Sequence, residues 1–127
     1  MFGDVKAFSG FSVDDIDAAR TFYRETLGLR VDDNDMGFLE IHLATGGVIL
    51  VYSKPNHAPA TYTILNFPVP DVDAAVDELN ARGVVTKIYE GNHTDERGIV
   101  RPERPEDGPV ICWFTDPAGN VLSVLEG

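Results

Sequence analysis

Few side chains in this sequence are equipped for chemistry, and their spacing is loose: three histidines, His42, His57 and His93, one cysteine, Cys112, and 21 acidic residues against 10 Lys and Arg. A strand-like run puts His42 on one face with Phe38 and Glu40, and Leu39, Ile41 and Leu43 on the other. His42 therefore shares the more solvated face and is a candidate general base. His57 lies in a connection flanked by Pro55 and Pro59. His93 stands near Asp95 and Glu96, a group able to take a metal adventitiously, but the spacing is not diagnostic of a metal site. Cys112 sits inside an apolar run, where a thiol packs as a small hydrophobe rather than acting as a nucleophile. Being alone it cannot form an internal disulfide, which points to a reducing cytoplasm.

Charge narrows the partners. A net charge of −11 leaves no basic patch able to displace counterions from phosphates, so no nucleic acid is expected. The acidic surface suits a cationic ligand or serves only solubility. With no apolar run longer than about five residues, neither a membrane span nor a secretory signal is expected.

The elements that must position these side chains come in two copies. Val13-Asp14-Asp15-Ile16-Asp17-Ala18-Ala19 returns as Val69-Pro70-Asp71-Val72-Asp73-Ala74-Ala75, five of seven positions matching at an offset of 69 − 13 = 56 residues. Such a repeat fixes which positions of the two halves are equivalent. Each copy opens an amphipathic helix: Asp15 or Asp71 can accept hydrogen bonds from the free amides of the first turn, and Asp17 or Asp73 adds charge where the helix dipole favours it. Apolar residues then recur at Ile16, Ala19, Tyr23 and Leu27, with Phe22 widening the stripe, and at Val72, Ala75, Val76 and Leu79. Gly28 and Gly83 stand where a left-handed residue ends a helix.

Each helix is preceded by one strand-like run and followed by three. The first set is Ala7 to Val13, Leu29 to Asp33, Phe38 to Ala44 and Val48 to Ser53, the last two joined at Gly46-Gly47 as a hairpin. The second is Thr61 to Val69, Val84 to Tyr89, Val110 to Thr115 and Val121 to Glu126, with a turn at Asp116-Pro117-Ala118-Gly119-Asn120. This predicts an α+β fold of two βαβββ modules in tandem, with curled, mostly antiparallel sheets around a concave pocket. The 127 residues read as one domain, with a first module of about 1–53, a linker at 54–59 and a second module of about 60–127. The stretch Glu90 to Gly108, charged and without periodicity, reads as a long loop placed to cover the pocket.

The paired modules, the FYRETLGL segment from Phe22 to Leu29, the VPDVDAAVDELNARGV segment from Val69 to Val84 and the FTDPAGNVLSVLE segment from Phe114 to Glu126 resemble the vicinal oxygen chelate superfamily. The likeness runs from about Phe8 to Glu126. That group includes glyoxalase I, extradiol dioxygenases, fosfomycin-resistance enzymes and bleomycin-resistance proteins. It is specific for fold and weak for function, because unrelated reactions and pure binders share the scaffold.

The resemblance implies a divalent metal held by histidine, glutamate or glutamine from the first and last strands of each module. Carried over one at a time, those positions fall on Phe8, five residues before Val13; on Ile64, by the same count from Val69; on Leu50, mid-strand at the end of the first module; and on Ser123, four residues beyond the glycine of the DPAGN turn. None is a credible ligand for Zn²⁺, Ni²⁺, Mn²⁺ or Fe²⁺. A slip of one residue does not help, since Ala7, Ser9, Ile49, Val51, Thr63, Leu65, Leu122 and Val124 are no better. No metal and no cofactor are expected.

Strand alternation then supplies the pocket. Val48 and Tyr52 share the face of Leu50, Tyr62 and Asn66 that of Ile64, and Val121 and Leu125 that of Ser123. The expected ligand-binding residues are Phe8, Leu50, Tyr52, Tyr62, Ile64, Asn66, Trp113 and Ser123: apolar and aromatic surface with a few polar groups, the usual make-up of a small-molecule site. The preferred reading is a metal-independent binding protein, resembling the bleomycin-resistance branch, in which a homodimer holds an apolar or cationic small molecule. The alternative is a lyase, isomerase or dioxygenase-like enzyme of the glyoxalase type, using His42, Tyr52 or Glu90 as acid-base groups or a displaced metal.

Overall fold

The computed structural model describes residues 1–87 and 94–127. It divides into two compact units, Met1–Pro59 and Ala60–Gly127, each a four-stranded mixed sheet with a helix, so the chain is α+β with tandem modules and neither sheet closes into a barrel. No helix among the described residues is long and apolar enough to cross a membrane.

The first unit runs β1 (Ser9–Val13), α1 (Ile16–Thr21), β2 (Arg30–Asp33), β3 (Leu39–His42) and β4 (Val48–Ser53). Its sheet order is β1-β4-β3-β2, with β1 parallel to β4 and the other pairs antiparallel. Asp15 caps α1, its carboxylate accepting from the amides of Asp17 at 3.0 Å and Ala18 at 3.1 Å. The expected single helix to Leu27 is not regular, because Phe22–Thr26 widens into a π-helical turn. Phe22 and Tyr23, which open this turn, are both buried, their rings edge to face at 5.2 Å between centroids. Gly28, at φ 74°, then ends the helix. Strand alternation sends Val31, Leu39, Ile41, Ile49 and Val51 to the buried face.

In the second unit the order is β5 (Thr63–Val69), α2 (Val72–Ala81), β6 (Ile99–Val100), β7 (Ile111–Thr115) and β8 (Val121–Glu126), arranged β5-β8-β7-β6 with β5 parallel to β8. The N-terminus of α2 is held twice: Asp71 accepts from Ala74 N, and Glu126, from the last strand, accepts from Val72 N, both at 3.2 Å. Val72, Val76 and Leu79 are buried with Leu65, Phe114, Leu122 and Val124. The DPAGN turn closes on Asp116, which is 4% exposed and takes hydrogen bonds from Ala118 N, Asn120 N and Asn120 Nδ2 at 2.9 to 3.0 Å.

Two expectations are corrected here. Of the expected strand Val84 to Tyr89, residues 84–87 form no strand beyond one isolated bridge from Lys87 to Trp113, and Ile88 and Tyr89 lie outside the described residues. Ile99–Val100 takes the ladder beside Ile111 and Cys112 instead. Ile99 is fully buried there, adding apolar area to the core, while Val85 is exposed. The Glu90 to Gly108 stretch is therefore not structureless from Thr94 onward. It holds β6 and a short 3₁₀ turn, Pro105–Asp107, and Arg97 and Arg101 tie it to Asp73 and Asp77 on α2. Glu90 and His93 lie outside the described residues.

Candidate functional site

In the first unit the sheet face turned away from the core carries a row of side chains that the register lines up. Gly10 pairs with Leu50, Leu50 with Glu40, and Glu40 with Asp32, each partner belonging to the next strand of the sheet. Residues paired in register share a face. Val48, Leu50 and Tyr52 are accordingly half-buried while Ile49 and Val51 are buried. A groove of about 620 Å³ lies on this face, lined by Lys6, Ala7, Phe8, Asn34, Met36, Glu40, Gly46, Gly47, Val48 and Leu50. Gly10 lets β1 run close to β4, for a Cβ there would stand 3.0 Å from the Leu50 carbonyl oxygen. Phe8 and Leu50 thus meet in one groove. Tyr52 is one row further on and is not among its lining residues; its ring stands against Phe38, centroids 6.2 Å apart.

The same face holds polar pairs that alternation alone did not assemble. His42 Nε2 is 2.9 Å from Asp32 Oδ2, an ion-pair distance without hydrogen-bond alignment. Arg30 also reaches Asp32, at 3.2 Å. His57, from the 54–59 connection, is turned back by its amide bonding the Lys54 carbonyl, and its Nδ1 shares a 2.6 Å hydrogen bond with Ser12 Oγ.

In the second unit Asn66 pairs with Ser123, and Ser123 with Trp113. The Ser123 hydroxyl, fully buried, donates to Asn66 Oδ1 at 2.6 Å. The Trp113 indole donates to Thr63 Oγ1 at 3.1 Å. Asn66, Trp113 and Ser123 are brought together; Tyr62 is 71% exposed and precedes β5. Ile64 departs from the expected alternation. The register steps from Thr63–Val121 to Leu65–Leu122, so Ile64 is the extra residue of a bulge, which resets the pleat. Thr63, not Ile64, shares the face of Asn66 and Ser123. Nothing in a uniform Thr-Tyr-Thr-Ile-Leu run marks the bulge. Glu40, Lys6 and Met36 were likewise missed as groove residues. For Glu40 the signal existed, since it shares the Phe38–His42 face that β3 lays beside Leu50.

The side chains at the positions where the resemblance implies a metal are a phenyl ring, two aliphatic groups and a hydroxyl already engaged with Asn66, a set that does not fit a divalent cation. Among the described residues no three His, Cys, Asp or Glu stand close enough to hold one. Cys112 offers no alternative chemistry, because burial pushes its thiol pKa up and the thiol contacts the Arg97 carbonyl oxygen at 3.6 Å.

The sequence matches the family model of the glyoxalase/bleomycin resistance protein/dioxygenase superfamily over residues 8–124, and the chain belongs to that superfamily. Solved structures with the same fold include a fosfomycin resistance protein from Listeria monocytogenes, 16% identical with a TM-score of 0.70 over 95% of this chain and 91% of that one. An antibiotic-binding protein from Streptomyces sp. CB03234 is 23% identical with a TM-score of 0.65, covering 97% of each chain. A glyoxalase family protein from Enterococcus faecalis is 21% identical with a TM-score of 0.63, over 99% of this chain and 100% of that one. A comparison with curated proteins finds no match.

Proposed function

We propose that this chain is a metal-independent small-molecule-binding protein, and that the groove on the first sheet holds an apolar compound. One observation carries the reading: Phe8 and Leu50, at positions where the superfamily resemblance calls for metal donors, instead line a groove of about 620 Å³ together with Met36 and Val48. Its size and apolar walls suit a small organic ligand. That a neighbour in fold is an antibiotic-binding protein supports a binding role. Tyr52 on the first unit, and Tyr62, Asn66, Trp113 and Ser123 on the second, stay in the proposal as further ligand contacts of their own units, whereas Ile64, displaced by the bulge, does not. We further propose a homodimer, since Phe2, Val5, Phe8 and Met36 are 59 to 79% exposed and exposed apolar side chains are candidates for cover by a partner, and a reducing cytoplasm, since Cys112 is the single cysteine.

Metal content and ligand-induced stabilisation test the reading together. Protein purified without chelators should carry less than about 0.1 equivalent of any transition metal and show no rise in melting temperature on adding one, since a ligand of the native state stabilises it by mass action. An aromatic compound found by thermal screening should stabilise wild type and lose its effect in Leu50→Arg, which fills the groove with a charged chain. Stoichiometric metal on elemental analysis, or a ligand indifferent to Leu50→Arg, overturns it.

A further inference from the structure

Glu40 is a half-buried carboxylate in the middle of an otherwise largely apolar groove, and among the described residues it has neither a hydrogen bond nor an ion pair. Its cross-strand partner on the same face is another acid, Asp32. Like charges directly opposite destabilise a sheet. Asp32 has Arg30 at 3.2 Å, whereas Glu40 has no cation in ion-pair contact among the described residues. Lys6 also lines the groove, yet it is exposed, makes no ion pair with Glu40, and can swing its long chain into water. Glu40 is held nearer the groove wall, for it is shorter, half-buried, and projects from β3 onto the face of Leu50.

We propose that the groove selects an amphiphilic cation: an apolar or aromatic body lies along Phe8, Met36, Val48 and Leu50, and a positively charged centre meets the Glu40 carboxylate. The inference rests on reading the groove as a small-molecule site and adds the sign of the ligand's charge. Burying an unpaired carboxylate beneath a neutral ligand would strip its water without replacing it, so neutral and anionic bodies of the same shape are disfavoured. A cation turns that penalty into an attraction in a medium of low dielectric.

Tetraphenylphosphonium and tetraphenylborate, nearly equal in shape and opposite in charge, are the probes. Calorimetric titration of wild type should show the phosphonium binding at least about tenfold more tightly than the borate. Glu40→Gln, which keeps the side chain's shape, should remove most of that preference. Asp14→Asn, an exposed acid with the same change in net charge, should leave it intact; equal losses in the two variants would mean that only the overall negative charge attracts the probe, and would overturn the proposal. If both probes bind wild type equally and in competition with each other, the groove is a small-molecule site without charge selection and this inference fails alone. If neither binds, the groove reading fails with it. If Glu40→Gln folds poorly, Glu40→Met, which removes the charge and keeps the side chain's length, makes the same comparison, and a preference it retains in full overturns the proposal.

Discussion

Asp116 shows how much one side chain settles locally: its carboxylate, almost out of solvent, holds two amides of its own turn and the Asn120 side chain. Asp116→Ala would leave those donors buried with no acceptor. Hydrogen bonds to a charged group are worth about 1.5–3 kcal/mol, so a loss of about 3 kcal/mol is expected, read from urea unfolding midpoints. Asp116→Asn, able to keep some of the acceptors, should lose less. Equal stability of Asp116→Ala and wild type would show that the turn is held by its glycine and proline alone. Position 10 makes a similar point about packing. Gly10 is needed because the Leu50 carbonyl lies against it, a constraint that comes from the neighbouring strand and has no trace in the local sequence.

At the scale of elements, β6 depends on Ile99 and on the arginines that flank it. Ile99→Ala should cost about 2–4 kcal/mol, as for other fully buried aliphatic truncations, and proteolysis should then cut the 94–104 stretch sooner than the rest of the unit. Acid should loosen the same attachment. The Arg101 hydrogen bond holds the Asp73 carboxyl below its usual pKa, with Arg97 adding to it, and Arg20 does the same for Asp33 in the first unit. A carboxylate whose folded pKa is depressed contributes its stability above the unfolded pKa of about 3.9 and loses it as pH falls through the folded value. Melting temperature should therefore fall as pH drops below about 4, and less steeply in Arg101→Gln, which lacks the main partner. Identical acid profiles for the two proteins would mean that these exposed pairs are too screened by water to matter.

For the whole molecule, the proposed dimer makes the apolar N-terminal segment the place to look. Sedimentation should show a species of twice the 13.9 kDa chain mass that dissociates on dilution, and Phe2→Ser with Val5→Ser should shift it toward monomer. A concentration-independent monomer would require the exposed Phe8 and Met36 to be served by ligand alone. The acidic excess, by contrast, is distributed over both units and engages Arg20, Arg97, Arg101 and Arg104 in surface pairs, so its effect on ligand choice is best judged at Glu40, which makes no ion pair among the described residues.

The helix starts, their Asp15 and Asp71 caps and the DPAGN and Gly46-Gly47 turns were legible in the sequence, because each rests on residues within one turn of helix or one hairpin, and the twofold repeat and the superfamily were legible as matches of residue type and spacing, whereas the π-helical turn at Phe22–Thr26 was not. So was the face shared by Phe38, Glu40 and His42, and by Val48, Leu50 and Tyr52, since a pleat has a period of two. What lay beyond reach came from contacts between distant segments. Residues 99 and 100 pair with β7, while residues 84 to 87 add only the Lys87 bridge to Trp113, an arrangement set by segments distant in the chain. The bulge at Ile64 exchanges the faces expected for Thr63 and Ile64, because it depends on how β5 registers with a strand some sixty residues away. And only the pairing of β3 with β4 brings Glu40 beside Leu50 in the groove: alternation says which side of its own strand a residue faces, while the tertiary structure decides what it faces there.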